Sequence, residues 1–276
     1  MKPQGLGIGF RHGIAEELLT RQPRQVQWVE VHPENYMLRG GRYPALLQRC
    51  LETWPVVTHG LTMGFGNMEP HSTEYLHPLR DLLKDVQTPW HTDHLCFPGA
   101  GGAHSHDLLP LPLTEESKHI AVQRIRECRD VLGLQLGVEN VSYYIPELDP
   151  LREASFLVEV AQEADAGILL DVNNVYVNSI NHGFDARDYI DQIPASRVLQ
   201  LHVAGHLVRS DSVIIDTHGE PVRSEVYELL EYTLRHVGPK PVLLERDNNI
   251  PPLDVLLEEL DQIAEIYKRA TGVDAC

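Results

Sequence analysis

Short, almost continuously apolar runs alternate along this chain with longer stretches in which apolar residues recur every three or four positions. The runs at 5–10, 26–31, 55–59, 88–93, 134–139, 166–171, 197–202 and 240–245 are too short for helices and lack the strict alternation of a half-exposed strand. They read as strands covered on both faces, as in a parallel sheet. Between them, residues 12–21, 41–52, 72–85, 114–132, 150–165, 184–193, 222–237 and 251–270 read as helices. Thr114 can cap one of these, with Glu115 and Glu116 in its first turn and Gly133 as its stop. Pro251 and Pro252 suit the first turn of the last. Eight strands alternating with eight helices predict an α/β protein, a (β/α)8 TIM barrel, with residues 1–276 as a single domain. A doubly wound open sheet is the competing arrangement, and it explains the next feature less well.

Six of the runs end on a side chain that can bind a metal: His59 (PVVTHG), His91 (TPWHTDH), Glu139 (LGVEN), Asp171 (GILLDVNN), His202 (VLQLHVAGH) and Glu245 (PVLLERD). In a barrel the carboxyl ends of the strands share one face, where active sites lie. The neighbouring loops add Asn174, His182 (SINHGFD), Asp216 and His218 (IIDTHGE). Each residue has a plain alternative as a hydrogen-bonded histidine, a turn cap or a paired acid. Together these alternatives fail, because burying several carboxylates side by side without cations is costly. A mixed set of imidazoles and carboxylates without cysteine suits iron, manganese or zinc. The set exceeds the roughly four to six ligands of one ion, which favours two or three ions with bridging carboxylates.

Other polar residues follow the same strands. Asp93 and Arg246, with His94 and Asp247, are candidates to orient ligands. Arg11, His32, Glu34 and Asn35, with His12 and Glu30, are candidates to contact substrate or to orient ligands, or else they form salt bridges and turn caps. The two longest connections, 94–113 and 203–221, are expected to be loops over the pocket. His104, His106 and Asp107 in the first suggest a structural or substrate-contact role.

Composition narrows the function. A formal net charge of -17 argues against a nucleic-acid partner. No run reaches the roughly 18 apolar residues of a membrane helix, and the first residues carry no apolar signal core, so a cytoplasmic protein is expected. Cys50, Cys96, Cys128 and Cys276 show no CxxC spacing and read as reduced thiols. A multinuclear hydrolase of the phosphodiesterase or endonuclease kind, a divalent-metal sugar isomerase and an iron store remain alternatives. Isomerase sites of this kind usually carry a lysine, and here none stands at a strand end.

The segments GIGFR, EVHPENY, THG, WHTDHLCF, HDLLPLPLTEE, VENVSYY, LLDVNNVYVNSINHGFD, HVAGH, IIDTHG and LLERDNNIP resemble the DUF692 (UPF0276) family, over nearly the whole chain. Its characterised members are multinuclear non-haem iron-dependent oxidative enzymes. The resemblance implies a TIM barrel with two or three iron ions (Fe2+/Fe3+) and O2 as co-substrate. It implies oxidative modification of cysteines in a ribosomally made precursor peptide, with a separate leader-binding partner protein. Within the family, the chain looks most like the bufferin-type branch, whose products bind copper. Matched motif by motif, the implied ligands are His59, His91, Glu139, Asp171, Asn174, His182, His202, Asp216, His218 and Glu245.

Overall fold

The computed structural model describes residues 2–100, 103–144, 149–210 and 213–275. Its strands are β1 (Leu6–Gly9), β2 (Trp28–Val31), β3 (Val56–His59), β4 (Trp90–His94), β5 (Cys96–Ala100), β6 (Ala103–Pro110), β7 (Gln135–Glu139), β8 (Gly167–Asp171), β9 (Val198–Val203), β10 (His206–Ser210), β11 (Val213–Asp216) and β12 (Val242–Leu244). Eight of them close a barrel in the order β1-β2-β3-β4-β7-β8-β9-β12, with β12 returning to β1 and every pair parallel. All eight expected strands are therefore present, and the open sheet is excluded.

The helices are α1 (Ala15–Arg21), α2 (Arg42–Leu51), α3 (Thr73–Val86), α4 (Glu115–Leu132), α5 (Pro150–Ala164), α6 (Val172–His182), α7 (Ala186–Ile190), α8 (Ser224–Val237) and α9 (Leu253–Thr271). Apolar side chains from the outer faces of the strands and the inner faces of the helices form one continuous layer between barrel and helices. Inside the barrel, Trp28, Val57, Trp90 and Leu243 pack with Leu199 as a floor. Gly7 makes room for it: a Cβ there would lie 2.4 Å from the Trp28 ring.

Two differences from the sequence reading matter for the site. First, the long connections carry antiparallel hairpins, β5–β6 and β10–β11, where plain loops were expected. Second, α6 starts directly at the end of β8, whereas the next helix was expected only at 184–193. Asp171 caps this helix by accepting the Asn174 N–H at 2.7 Å, and Gly183, at φ 70°, ends it.

Candidate metal centre

Alternation along a strand decides which side chains enter the barrel. Val57 belongs to the floor, so His59, two residues on, also points inward; Trp90 does the same for Thr92 and His94. His59 Nδ1 lies 2.9 Å from Thr92 Oγ1, which fixes its ring and turns Nε2 toward Glu139 Oε2, 3.1 Å away. His94 Nε2 reaches the same oxygen at 3.2 Å. Glu139, Asp171, His202 and Glu245, at the ends of four successive barrel strands, form a second group within 4.8 Å, so Glu139 is common to both. His218 joins them, with Nδ1 3.2 Å from Glu245 Oε2 and Nε2 2.8 Å from Asp216 Oδ1.

The donor atoms converge without bonding to one another. Glu139 Oε2, Asp171 Oδ2, Asn174 Oδ1, His202 Nδ1, His218 Nε2 and Glu245 Oε2 are buried and have no hydrogen-bond partner. Yet His202 Nδ1 and Glu245 Oε2 are 2.9 Å apart. Atoms that share an ion at about 2.1 Å sit roughly 3 Å from each other. The residues therefore fit a cluster of cations, with Glu139 as the natural bridge.

The electrostatics agree. Burial, reinforced by Glu139, Asp216 and Glu245 against the pull of His218, pushes Asp171 up to about 7. Burial works against a charge on His59, but Glu139 and Glu30 together outweigh it and raise the imidazole to about 9. Against the push of burial, Glu139 and Glu245 are held below the usual carboxylate range by His59, His202 and His218, so without cations the imidazoles carry the charge that neutralises these acids. A third group, His32, Glu245 and Asp247, already contains a cation: Arg11 donates to Asp247 Oδ1 at 2.7 Å and approaches Glu245 Oε1 at 3.4 Å.

Of the ten expected ligands, eight meet around this cavity: His59, Glu139, Asp171, His202 and Glu245 at its centre, Asp216, His218 and Asn174 at its side. His91 and His182 do not. His91 alternates outward, where its Nδ1 lies 3.0 Å from Thr58 Oγ1, and His94 occupies the inward position. His182 sits three turns down α6 from Asp171, stacked on Tyr143 and bonded to its carbonyl at 2.9 Å.

The remaining expectations sort by geometry. Asp93 points outward and accepts the N–H groups of Met63, Gly64 and His94, holding the loop after β3. Arg246 also faces outward and is bonded at 2.6 Å to Glu259 of α9, so it does not touch Glu245's cluster. Arg11 and His32 face the cavity; His32 Nδ1 donates to the His59 carbonyl at 3.0 Å. Glu34 accepts from Leu61 N and Tyr75 Oη, and Asn35 lies in a short 3-10 turn, Pro33–Asn35. The side chains of His104, His106 and Asp107 lie outside the described residues.

Several positioning residues escape a strand-end reading. Asn140 exchanges two hydrogen bonds with the Asp171 backbone, at 2.9 and 3.0 Å, locking the ends of β7 and β8 together. Asn173 donates to Asp216 at 2.9 Å and its amide oxygen meets His206 Nδ1 at 2.9 Å. Asn181 holds Ile214 through both its N–H and C=O. The hairpin β10–β11, which ends in Asp216, is thus tied to α6 through side-chain amides. Four asparagines in VNNVYVNSINH were the visible signal.

Comparison with known proteins adds three findings. A family model described as "RiPP precursor modification enzyme MbnB/TglH/ChrH" matches residues 5–268. A UPF0276 protein of Anaeromyxobacter sp. is 44% identical over 96% of this chain and 93% of its own length, and one of Acinetobacter baylyi is 42% identical over 94% and 90%. Among solved structures, a xylose isomerase domain protein from Planctomyces limnophilus superposes with a TM-score of 0.62 at 16% identity, covering 99% of each chain. D-Psicose 3-epimerase from Clostridium cellulolyticum H10 gives 0.61 at 10%, over 97% of this chain and 99% of its own. At such identities these two establish the barrel alone.

Proposed function

Because the chain belongs to the MbnB/TglH/ChrH family of RiPP precursor modification enzymes, we propose that it is an iron-dependent, O2-using enzyme that oxidises cysteine residues of a ribosomally made precursor peptide. The observation that carries this reading is the set of unpartnered imidazole and carboxylate atoms converging on Glu139 at the open end of the barrel. His59 and His94 with Glu139 would hold one ion, and Glu139, Asp171, His202 and Glu245 a second; Asn174, Asp216 and His218 flank a further position. Bound iron would supply the redox chemistry and a place where a thiolate and O2 meet.

The chain's own residues do the rest. Their carboxylates draw cations into a cavity from which the floor of Trp28, Trp90 and Leu199 excludes water. Arg11 neutralises Asp247 and part of Glu245, leaving the other Glu245 oxygen free. The protein's described thiols, Cys50, Cys96 and Cys128, are buried, and burial pushes each up, so the reacting thiol comes from the peptide. A leader-binding partner protein would deliver that peptide, and a product that binds copper fits the cysteine chemistry.

Elemental analysis and Mössbauer spectra on iron-57 protein purified without oxygen test the reading. Two or more irons per chain, and O2 uptake only with a cysteine-containing precursor, are expected. Stoichiometric zinc or manganese without iron would instead favour a hydrolase or isomerase on the same barrel, and product formation without O2 would end the oxidative mechanism.

A further inference from the structure

The hairpin β10–β11 has two outer edges, and they are treated differently. In an antiparallel pair, opposed residues alternate between exchanging hydrogen bonds with each other and turning their N–H and C=O groups outward. Asn181 fixes the phase. Its side-chain oxygen accepts the Ile214 N–H at 3.0 Å, and its amide nitrogen donates to the Ile214 C=O at 2.9 Å. Ile214 therefore faces away from β10. Asp216, two residues on, does the same and donates its N–H to Tyr144 Oη at 2.9 Å. Side chains thus cap the outer edge of β11 at both positions.

The register carries this phase across to β10. Val208 stands opposite Ile214 and His206 opposite Asp216, so these two also turn their N–H and C=O groups away from the hairpin. Leu207, between them, pairs inward with Ile215. No other strand pairs with β10, and among the described residues no hydrogen bond from outside the hairpin reaches the backbone of His206 or Val208. The edge is apolar as well as open: Val208 is 43% exposed and Leu207 38%, while His206 is buried at the inner end. A register shift between Val208 and Ser210 ends the regular run. The inner end adjoins the metal cluster, because Asp216, opposite His206, has its Oδ1 2.8 Å from His218 Nε2.

We propose that the outer edge of β10 binds a short extended peptide as an added strand, paired to the backbone of Val208 and His206. This rests on the proposed function only for the identity of the peptide, which is then the precursor segment beside its reacting cysteine. A row of unpaired N–H and C=O groups is complementary to another extended backbone, and such pairing gives affinity without demanding one side-chain sequence. Neighbouring strands lie about 4.8 Å apart, so the added strand is held roughly 10 Å from the β11 backbone that carries Asp216. The register shift after Val208 leaves too short an edge for the sheets of two whole chains to grow along it, which favours a peptide over a second copy of this chain.

The probe is the peptide acetyl-Thr-Val-Thr-Cys-Thr-Val-Thr-amide, with a twin N-methylated on alternate residues so that it cannot pair. The full chain is used metal-free and loaded with Co2+ under nitrogen. Amide hydrogen exchange is followed by NMR on nitrogen-15 protein, and peptide affinity by calorimetry. In the free chain the Val208 amide is expected to exchange faster than that of Leu207. Peptide at about 10 times its dissociation constant should slow exchange at Val208 roughly 10-fold, and the methylated twin should not. Val208→Thr keeps the backbone N–H and should keep binding. Val208→Pro deletes it at an edge position where no ladder bond is lost, and should weaken binding about 10-fold. If Val208→Pro does not fold, as judged by circular dichroism, the methylated twin on wild type carries the test. A Val208 amide as slow as Leu207 in the free chain overturns the proposal, as does equal protection by both peptides, or none at millimolar peptide. A dimer that Val208→Pro dissolves would give the edge to a second copy and overturn it too. Protection at Val208 without a thiolate-to-cobalt absorption band would count against the cysteine chemistry and leave the strand site standing.

Discussion

Three residues apart on β4, His91 and His94 lie on opposite sides of the barrel wall, and the difference is one of strand parity. The sequence reading ended the strand at residue 93 and took the first histidine as the ligand; the strand continues to His94, and the inward positions are Trp90, Thr92 and His94. Parity was legible from Trp90, a floor residue, only once the register against Val57 and His59 was known. His94→Ala is therefore expected to remove at least one metal equivalent per chain, read by elemental analysis. His91→Ala is expected to keep the metal and lower thermal stability, since it opens a buried space beside Thr58. The reverse pattern would show that the rings exchange roles.

Glu153 shows the same dependence on surroundings. Its carboxyl is pushed up from 4.5 to about 8 by burial, and among the described residues its side-chain partner is Tyr189 Oη at 2.9 Å. The folded state thus holds a proton that the unfolded chain releases near pH 4.5. Stability from this group is complete below that value and falls as pH rises toward 8, by up to about 1.4 kcal/mol per pH unit. Glu153→Gln should flatten that part of the stability–pH curve in urea titrations and gain over wild type at pH 8.

Elements differ in what holds them. The barrel strands and their covering helices are held by apolar burial, which leaves a plain pattern in the sequence. The hairpin β10–β11 has exposed Leu207, Val208 and Val213, and its attachment runs through Asn173 and Asn181. Amide clamps carry no periodicity, so the segment read as a loop. The start of α6 was hidden for a related reason: Asp, Val, Asn and Asn suit a turn as well as a capped helix. Asn181→Ala deletes both bonds to Ile214, at a cost of about 1–2 kcal/mol of local stability. Faster amide hydrogen exchange confined to β10 and β11, with the barrel strands unchanged, is the expected outcome. Unaltered exchange there would mean that the apolar contacts of the hairpin suffice.

At the scale of the whole molecule, the closed parallel barrel was legible because every strand is buried on both faces, and most of the central cluster because its members stand at strand ends. Most supports were not: Glu30 was open as a ligand-orienting candidate, but Gln200, which meets it across the barrel at 2.7 Å, and Asn140, which ties β7 to its neighbour β8, gave no sign in the sequence. The cluster also places three buried carboxylates, Glu139, Asp171 and Glu245, beside the half-buried Asp216, so the metal-free protein should be strained. Removing metal with a chelator is expected to lower the melting temperature, and restoring Fe2+ under nitrogen to raise it. At a free concentration of about 100 times the dissociation constant the gain is roughly 2.7 kcal/mol for one site. A melting point insensitive to both treatments would deny the cluster its cations.

Glu245 arrives with β12, the last strand, which closes the barrel by inserting between β9 and β1. Until that strand docks, His202 and His218 lack the carboxylate they share, and Arg11 lacks its partners. A chain still leaving the ribosome can therefore assemble most of the wall but not the pocket. On the proposed metal reading, the position that uses Glu245 is completed only by a finished barrel, and a chain truncated before β12 would keep no more than the His59, His94 and Glu139 group.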